Sequence, residues 1–222
     1  MGANDSTASS SCSALQSLAF FEGSEDTLPS YLSADYSLSH LECLERTEVS
    51  LLCNAILNRG GATTPVHVIL YSSSLYFRFE REAKAYEILI SAGATKIIPR
   101  VYGYTQWSSK EWKLQFAHTP LYDSDAYAII TERIDSWYTD VSSKNVDPHV
   151  AARAVTSLEE IHQAGILHGS VRGSCLVNRR NRATRWVRFE HCRLPGEYSS
   201  EDLEYEMQFA MELFYGFYVC HD

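Results

Sequence analysis

The first 83 residues contain no lysine, and the whole sequence is short of positive charge. Nineteen Lys and Arg residues stand against 28 Asp and Glu residues, which gives a formal net charge of −9. Because binding to a nucleic-acid backbone depends on clustered basic side chains, this balance argues against nucleic acid as a partner. The one dense basic run (Arg179, Arg180, Arg182, Arg185) falls where a hairpin turn is predicted, and we interpret it as a solvated turn.

Other absences limit the class of protein. The six cysteines are scattered without a C-x-x-C pair, so neither a zinc site nor a disulfide framework is predicted. No apolar run approaches the roughly 20 residues that cross a bilayer, and the first residues lack the features of a secretory signal. We therefore expect reduced thiols, a cytoplasmic location with the nucleus as the alternative, and no membrane partner. Gly2 and Ser6 fit the myristoylation pattern M-G-x-x-x-[ST], which is short enough to arise by chance.

The order of segments in the first part of the chain predicts a sheet with one helix. Residues 1–13 are rich in small polar residues and are expected to form a disordered arm. Residues 14–44 contain short apolar clusters, which we expect to be short helices or loops. Strands are predicted at 45–58, 66–71, 100–107 and 127–134, with a helix at 77–92 ending near Gly93.

The later part of the chain is predicted to be mainly helical. A helix is expected at 147–165, with Asp147 as its cap, Pro148 in its first turn and Gly165 at its end. A hairpin around the arginine-rich turn and an amphipathic helix at 199–215 follow. The sequence thus predicts an α+β fold: one domain over 14–222, with a sheet-rich lobe over 14–135 and a helical lobe over 136–222.

The segment ILHGSVRGSCLV, residues 166–177, carries the main functional signal. With SLEEIHQAG before it and WVRFEHCRL after it, this segment resembles the catalytic loop of the protein kinase-like superfamily, especially its small fungal and aminoglycoside-phosphotransferase-like branches. In that family a His-x-Asp sequence is followed by a metal-binding Asn and then a metal-binding Asp. The resemblance covers about residues 45–215 and implies a two-lobe kinase-like fold with a reduced C-terminal helical lobe.

The resemblance places unusual side chains at the catalytic positions. His168 matches the family histidine, Ser170 stands at the catalytic base, Cys175 at the metal-binding Asn and Arg188 at the metal-binding Asp. A serine hydroxyl is not a base near neutral pH, and Mg²⁺ prefers carboxylate and water ligands. At an effective dielectric constant of about 20, a guanidinium 4 Å from the metal position would repel a dication by about 4 kcal/mol per unit charge.

The first lobe has lost its ion pair in the same way. Glu82 matches the glutamate of the Lys–Glu pair, but Ile69 stands where the lysine is expected, and the first lysine in the chain is Lys84. A Gly-rich phosphate loop is also missing, since Gly60–Gly61 alone indicates a turn. Together these substitutions predict that metal-dependent phosphotransfer is absent and that the chain holds no metal and no cofactor.

Two questions about these residues stay open at the level of sequence. Arg188 either pairs with an acid such as Glu82 or Glu190 and fills the site, or anchors a phosphate or carboxylate through its guanidinium fork. His168 and Cys175 are acid–base or nucleophile candidates by residue type, but each is also explained as a structural residue. The neighbours His191 and Cys192 lie on an extended segment and so cannot form a dyad.

Further clusters have two interpretations each. The aromatic residues Tyr102, Tyr104, Trp107 and Trp112 form either a ligand wall or lobe packing. The segment LEYEMQFAMELFYGFYV is interpreted as a core-facing helix, although an exposed apolar part of it would mark a partner site. We expect the acids at the start of this helix (Glu201, Asp202, Glu204, Glu206) to form a solvated face.

These residues predict a pseudokinase-like binding or regulatory module. Its protein partner would use the lobe cleft or the C-terminal helix. The alternative is a repurposed kinase-fold enzyme, such as a metal-free transferase or cyclase in specialised metabolism, with Arg188 as an anion anchor. A truncated, non-functional kinase remnant is a third hypothesis, which the intact helix caps disfavour.

Overall fold

The computed structural model describes residues 32, 35–108, 110, 125–142 and 144–219, and the fold is of the α+β class, as predicted. Short 3-10 turns precede the first helix at Ser73–Leu75 and follow the last strand at Phe189–His191. In chain order the helices and strands are β1 (Tyr36–Arg46), β2 (Leu51–Arg59), β3 (Ala62–Ser72), α1 (Tyr76–Ser91), β4 (Val101–Trp107), β5 (Ala126–Glu132), β6 (Tyr138–Asp140), α2 (Pro148–Gln163), β7 (Cys175–Asn178), β8 (Thr184–Trp186) and α3 (Ser200–Val219).

Five strands form an antiparallel sheet in the order β1-β2-β3-β5-β4. The β2–β3 turn consists of Gly60 and Gly61, whose φ angles of 51° and 84° suit a two-residue hairpin that glycine forms without strain. Every second residue of β2, from Leu51 to Leu57, is buried on one face of the sheet.

Residues 66–72 of β3 are buried or half-buried on both faces, which explains why this part of the strand is mostly apolar. Val66, Val68 and Leu70 join β2 and Trp107 in a small core on one face. Tyr71 and Ile69 face the larger core on the other side. The second face is covered by α1, whose buried positions match the predicted spacing (Phe79, Ala83, Tyr86, Leu89, Ile90).

The second half of the chain forms a small sheet and two helices on the same core. Strands β6, β7 and β8 form an antiparallel three-stranded sheet. Asp147 caps α2 by accepting a hydrogen bond from the Val150 amide at 2.9 Å, and Pro148 begins this helix, as predicted. One continuous core joins α1 to this half through buried residues such as Trp186 and Phe214.

The sequence interpretation was wrong between residues 36 and 50. Residues 36–46 were expected to be a helix or loop, but they form strand β1, which pairs with β2. A turn divides the predicted strand at 45–58, and in this turn Thr47 Oγ1 accepts hydrogen bonds from the Val49 and Ser50 amides. The edge strand β1 is largely exposed and interrupted near His40, where φ is 54°, so it lacks regular alternation. The predicted arm at 1–13 and Trp112 lie outside the described residues.

Most of the arginine-rich segment forms the turn between β7 and β8, as predicted, but Arg185 lies half-buried in strand β8. Arg182 pairs with Asp147, Arg185 pairs with Glu132, and the guanidinium of Arg180 lies over the Trp137 ring. Within the described part of the chain, no helix combines the length and apolar character needed to cross a membrane.

Candidate functional site

His168 is fully buried in the loop between α2 and β7, where it has a structural role. Its Nδ1 accepts a hydrogen bond from the Ser170 amide at 3.3 Å, so Nε2 carries the proton and donates to the Val187 carbonyl at 3.1 Å. Burial lowers the pKa of His168 from 6.5 to about 4. The neutral ring thus connects the loop to the segment before Arg188 and is not exposed for acid–base chemistry.

Glu206 on α3 holds the backbone of this loop. Its carboxylate accepts hydrogen bonds from the amides of His168 (2.9 Å) and Gly169 (2.6 Å) and contacts Nε2 of His162 at 2.8 Å. Burial alone would raise the pKa of Glu206, but His162 and the loop amides hold it below its ordinary value. The expectation that Glu206 belongs to a solvated face is therefore wrong, because it lies one helical turn before buried Ala210 and faces the core.

Gly169 allows the loop to pass close to the 3-10 turn. Its φ is +76°, and a Cβ atom at this position would collide with the carbonyl oxygen of His191. Only glycine fits both the left-handed backbone and the close approach. The backbone conformation and the close contact therefore require glycine at position 169.

A cavity of about 270 Å³ lies between the two sheets, beside this loop. One wall comes from β2 and β3, including Leu52 and Ile69, and the opposite wall from Leu176, Val187 and Arg188. The structure thus brings Ile69 and Arg188, 119 positions apart in sequence, to one cavity.

Arg188 pairs with an acid, and that acid is Glu45 rather than Glu82 or Glu190. Its Nη2 donates to both carboxylate oxygens of Glu45, at 2.9 and 2.8 Å. Both side chains stay partly exposed, at 40% and 44%. The Arg188 backbone is left-handed, with φ 67° and ψ 57°, a conformation that costs about 1–3 kcal/mol when a non-glycine residue adopts it.

Glu82 is fully buried behind the cavity without a basic partner among the described residues. The Tyr71 hydroxyl donates to one of its carboxyl oxygens, and the Phe189 amide donates to the other at 3.3 Å. Burial, followed by the negative charge of Glu190, raises the pKa of Glu82 from 4.5 to about 8. Tyr71 thus takes the contact that the resemblance assigns to a lysine, while Ile69 faces the cavity.

The remaining predicted positions are not brought into the cavity. Ser170 lies partly buried in the loop and does not line the cavity, and Cys175 is buried in β7, where burial raises the pKa of its thiol far above the ordinary value. His191 is exposed while Cys192 is buried, so these neighbours point apart as predicted, but His191 ends a 3-10 turn and the predicted extended segment is wrong. The thiols that the structure describes are free (Cys43, Cys53, Cys175, Cys192).

The aromatic and helical clusters separate into core and surface. Tyr104 and Trp107 are buried in the cores, which favours packing over a ligand wall. The outer face of α3 exposes four large side chains, of which Tyr205 is the most accessible at 75% (Tyr205, Phe209, Met211, Tyr215).

The residues that sequence reasoning missed are mainly acids. Glu206 had a detectable signal, because it lies four residues before Ala210 and eight before Phe214, both buried. The role of Tyr71 was also detectable in the sequence, since Tyr71 lies on the same face of β3 as Ile69. Glu45 had none, because its contact with Arg188 spans 143 positions.

Comparisons with protein-family models and with curated proteins find no match to this chain. Within the described ranges, no group of three His, Cys, Asp or Glu side chains is arranged to hold a metal ion.

Proposed function

We propose that this chain is a kinase-like protein that binds a partner and does not carry out metal-dependent phosphotransfer. The observation that carries the proposal is the Arg188–Glu45 ion pair at the cavity. In the resemblance, Arg188 stands where an aspartate would hold Mg²⁺. A guanidinium repels that dication, and its pairing with Glu45 occupies the nearby carboxylate.

The residues of the cavity do not fit a magnesium nucleotide. Ile69 offers an apolar side chain where a lysine would neutralise phosphate oxygens, and Tyr71 contacts Glu82 in place of that lysine. The buried thiol of Cys175 is a soft, protonated group and lies outside the cavity. We therefore derive no phosphotransfer step for this chain.

The loop around His168 supports a retained fold rather than a decaying one. Glu206 still fixes the loop backbone, and His168 still connects it to Val187. A buried carboxylate with these partners costs free energy whenever one partner is lost. Such a network favours a working binding module over a non-functional remnant.

Within the described residues, two surfaces are available to a partner of this module. One is the cavity between the sheets, and the other is the apolar outer face of α3 around Tyr205 and Phe209. Exposed apolar patches on helices are frequent sites of protein association.

A metal-free enzyme is the second candidate, and the exposure of Arg188 favours it. Because the Arg188 side chain is 40% exposed, an anionic substrate has access to it. Such a substrate would have to displace Glu45 from Arg188. Because of this competition, we favour the binding module over the enzyme.

Thermal unfolding of the full chain with added ligands tests these functions. We expect the same melting temperature with ATP alone and with ATP and Mg²⁺, and no transfer of phosphate from ATP to protein or water. A clear Mg²⁺-dependent rise in melting temperature would contradict the proposal. Stabilisation by an anionic metabolite that disappears in Arg188→Ala but persists in the matched variant Arg179→Ala would favour the enzyme instead.

A further inference from the structure

The cavity between the sheets is negatively charged. Four carboxylates line it (Glu45, Asp135, Asp140, Glu190), against the single guanidinium of Arg188. Arg188 is already neutralised by Glu45, which leaves three acids without a compensating lining residue. This charge is opposite to the one that a phosphate or carboxylate ligand requires.

Glu190 is the most informative of these acids. It is only 5% exposed, and its carboxylate receives no hydrogen bond and no ion pair from any residue that the structure describes. The guanidinium of Arg78 donates at 2.9 Å to the Glu190 backbone carbonyl rather than to its carboxylate. A carboxylate that lines a narrow cavity without a partner from the chain favours a ligand group that supplies a donor and a positive charge.

Glu82, directly behind, provides no compensation. It is fully buried, and the negative charge of Glu190 contributes to the rise in its pKa. The position from which the resemblance would supply a lysine holds Ile69, which adds apolar surface to the cavity. Among the described residues that line the cavity, Arg188 is the single guanidinium, and it pairs with Glu45 rather than with Glu190.

The walls around these acids are apolar and aromatic. Leu52, Ile69, Leu176 and Val187 line the cavity together with two tyrosine residues, Tyr86 and Tyr138. Such walls suit an apolar stem, and a tyrosine ring face also attracts a cation.

We infer that this cavity binds an organic cation: an ammonium or guanidinium group on an apolar stem, with Glu190 as its main partner and Asp140 as a second. The chemistry is shared by a free amine and by a lysine or arginine side chain of a protein partner. The inference rests on the proposed function, since a magnesium nucleotide in the same cavity would exclude this ligand.

Near the cavity, Arg78, His67 and Arg133 do not pair with the Glu190 carboxylate. Arg78 donates instead to the Glu190 backbone carbonyl and contacts Nδ1 of His191. His67 is neutral near pH 7, because burial, aided by Arg133, lowers its pKa to about 4. Arg133 itself is exposed to solvent and does not line the cavity. Its charge is therefore screened over a Debye length of about 10 Å at 0.1 M salt.

The test uses the full chain at an ionic strength of about 0.1 M and matched six-carbon probes. n-Hexylamine is expected to raise the melting temperature and to give a binding isotherm by calorimetry, whereas n-hexanol and hexanoate are not. Added sodium chloride should weaken hexylamine binding, because the charges that attract it are screened. Equal effects of hexylamine and hexanol would overturn the inference, since the cavity would then recognise only the stem.

Variants locate the binding within the cavity. Glu190→Gln keeps the shape and is expected to lower the affinity for hexylamine by about tenfold or more, the size expected for a lost charge-assisted hydrogen bond. Asp140→Asn, at an exposed position that is tolerant of change, should lower it by a smaller factor. The control Glu204→Gln removes an exposed acid outside the cavity and should leave the affinity unchanged. Unchanged binding in Glu190→Gln and Asp140→Asn would overturn the inference.

A peptide pair distinguishes the two sources of the cation. A blocked pentapeptide with one central lysine is compared with the same peptide carrying acetyl-lysine, which has no charge. Binding of the lysine peptide but not the acetylated one supports a protein partner, whereas binding of hexylamine alone supports a small amine. Failure of all cationic probes would refute the inference but leave the proposed function intact, whereas Mg²⁺-dependent binding of ATP would refute both.

Discussion

The His168 loop and the Arg188 cavity lie side by side, but their buried carboxylates differ in the hydrogen bonds that they receive. In the loop, the Glu206 carboxylate is surrounded by donors from His162 and two backbone amides. In the cavity, Glu190 is as buried as Glu206, but its carboxylate accepts no hydrogen bond from the described residues. The loop is thus satisfied by the chain itself, whereas the cavity is left with unsatisfied charge.

This difference separates what the fold needs from what a ligand needs. A network that the chain completes internally contributes to stability whether or not anything is bound. An unsatisfied charge in a cavity lowers stability and is relieved only by a binding partner. Mutations in the loop should therefore change stability, and mutations in the cavity should mainly change its response to pH or ligands.

The largest effect is expected from Glu206→Ala. This change leaves the amides of His168 and Gly169 and the ring of His162 without their acceptor. We expect the free energy of unfolding to fall by about 3–5 kcal/mol, as for other broken buried charge networks. Urea denaturation monitored by circular dichroism measures this loss.

Glu204→Ala is the matched control for this prediction. It removes an exposed acid two residues earlier on the same helix, and its effect should stay within about 0.5 kcal/mol. Similar losses in the two variants would show that the loop network adds little stability.

The second effect is a dependence of the free energy of unfolding on pH, which we expect from Glu82 behind the cavity. Because the pKa of Glu82 is raised from 4.5 to about 8, the folded protein retains a proton that the unfolded chain releases between these values. Stability linked to this group is fully present below pH 4.5 and is lost as the pH rises towards 8, with a slope on the order of 1 kcal/mol per pH unit.

Glu82→Gln cannot ionise and should flatten this decrease. Denaturant titrations at several pH values compare it with Glu80→Gln, an exposed position on the same helix whose change should leave the slope as it is. An unchanged slope in Glu82→Gln would show that the buried carboxyl is not the titrating group.

The third effect isolates the close approach at Gly169. Gly169 and Gly173 lie in the same loop with φ angles of +76° and +74°, but only at Gly169 would a Cβ meet another part of the chain. Gly173→Ala should therefore cost about 1–2 kcal/mol for the left-handed backbone alone. Gly169→Ala should cost about 2 kcal/mol more, since the His191 carbonyl must move. Equal melting temperatures for the two variants would contradict the close approach.

Local patterns were sufficient to predict much of this fold. Helix α2 follows from its apolar spacing, the Asp147 cap and Pro148, all of which act within one helical turn. The β7–β8 hairpin likewise follows from two apolar segments around a polar turn. The interruption of β1 near His40 was not predictable, because nothing local marks the residue where an exposed edge strand changes register.

The site was predicted at the level of single positions but not of partners. The resemblance singled out Ile69 and Arg188, which line one cavity, yet the acids of that cavity come from separate elements. Glu45 contacts Arg188 across 143 positions in sequence. The burial of Glu190 depends on residues from other elements that pack around it. Such contacts depend on the packing of the two halves and leave no periodic signal.

The smallest effect tests whether the Arg188–Glu45 pair belongs to the fold or to the cavity. The pair is partly exposed, so Arg188→Ala should change the free energy of unfolding by at most about 1 kcal/mol. Arg188→Gly removes the same pair but also relieves the left-handed backbone, and it should be more stable than Arg188→Ala by about 1 kcal/mol. Differential scanning calorimetry of both variants gives this difference. A loss of several kcal/mol in both would place Arg188 with the loop as a structural residue, because an exposed cavity pair has too little energy to account for it.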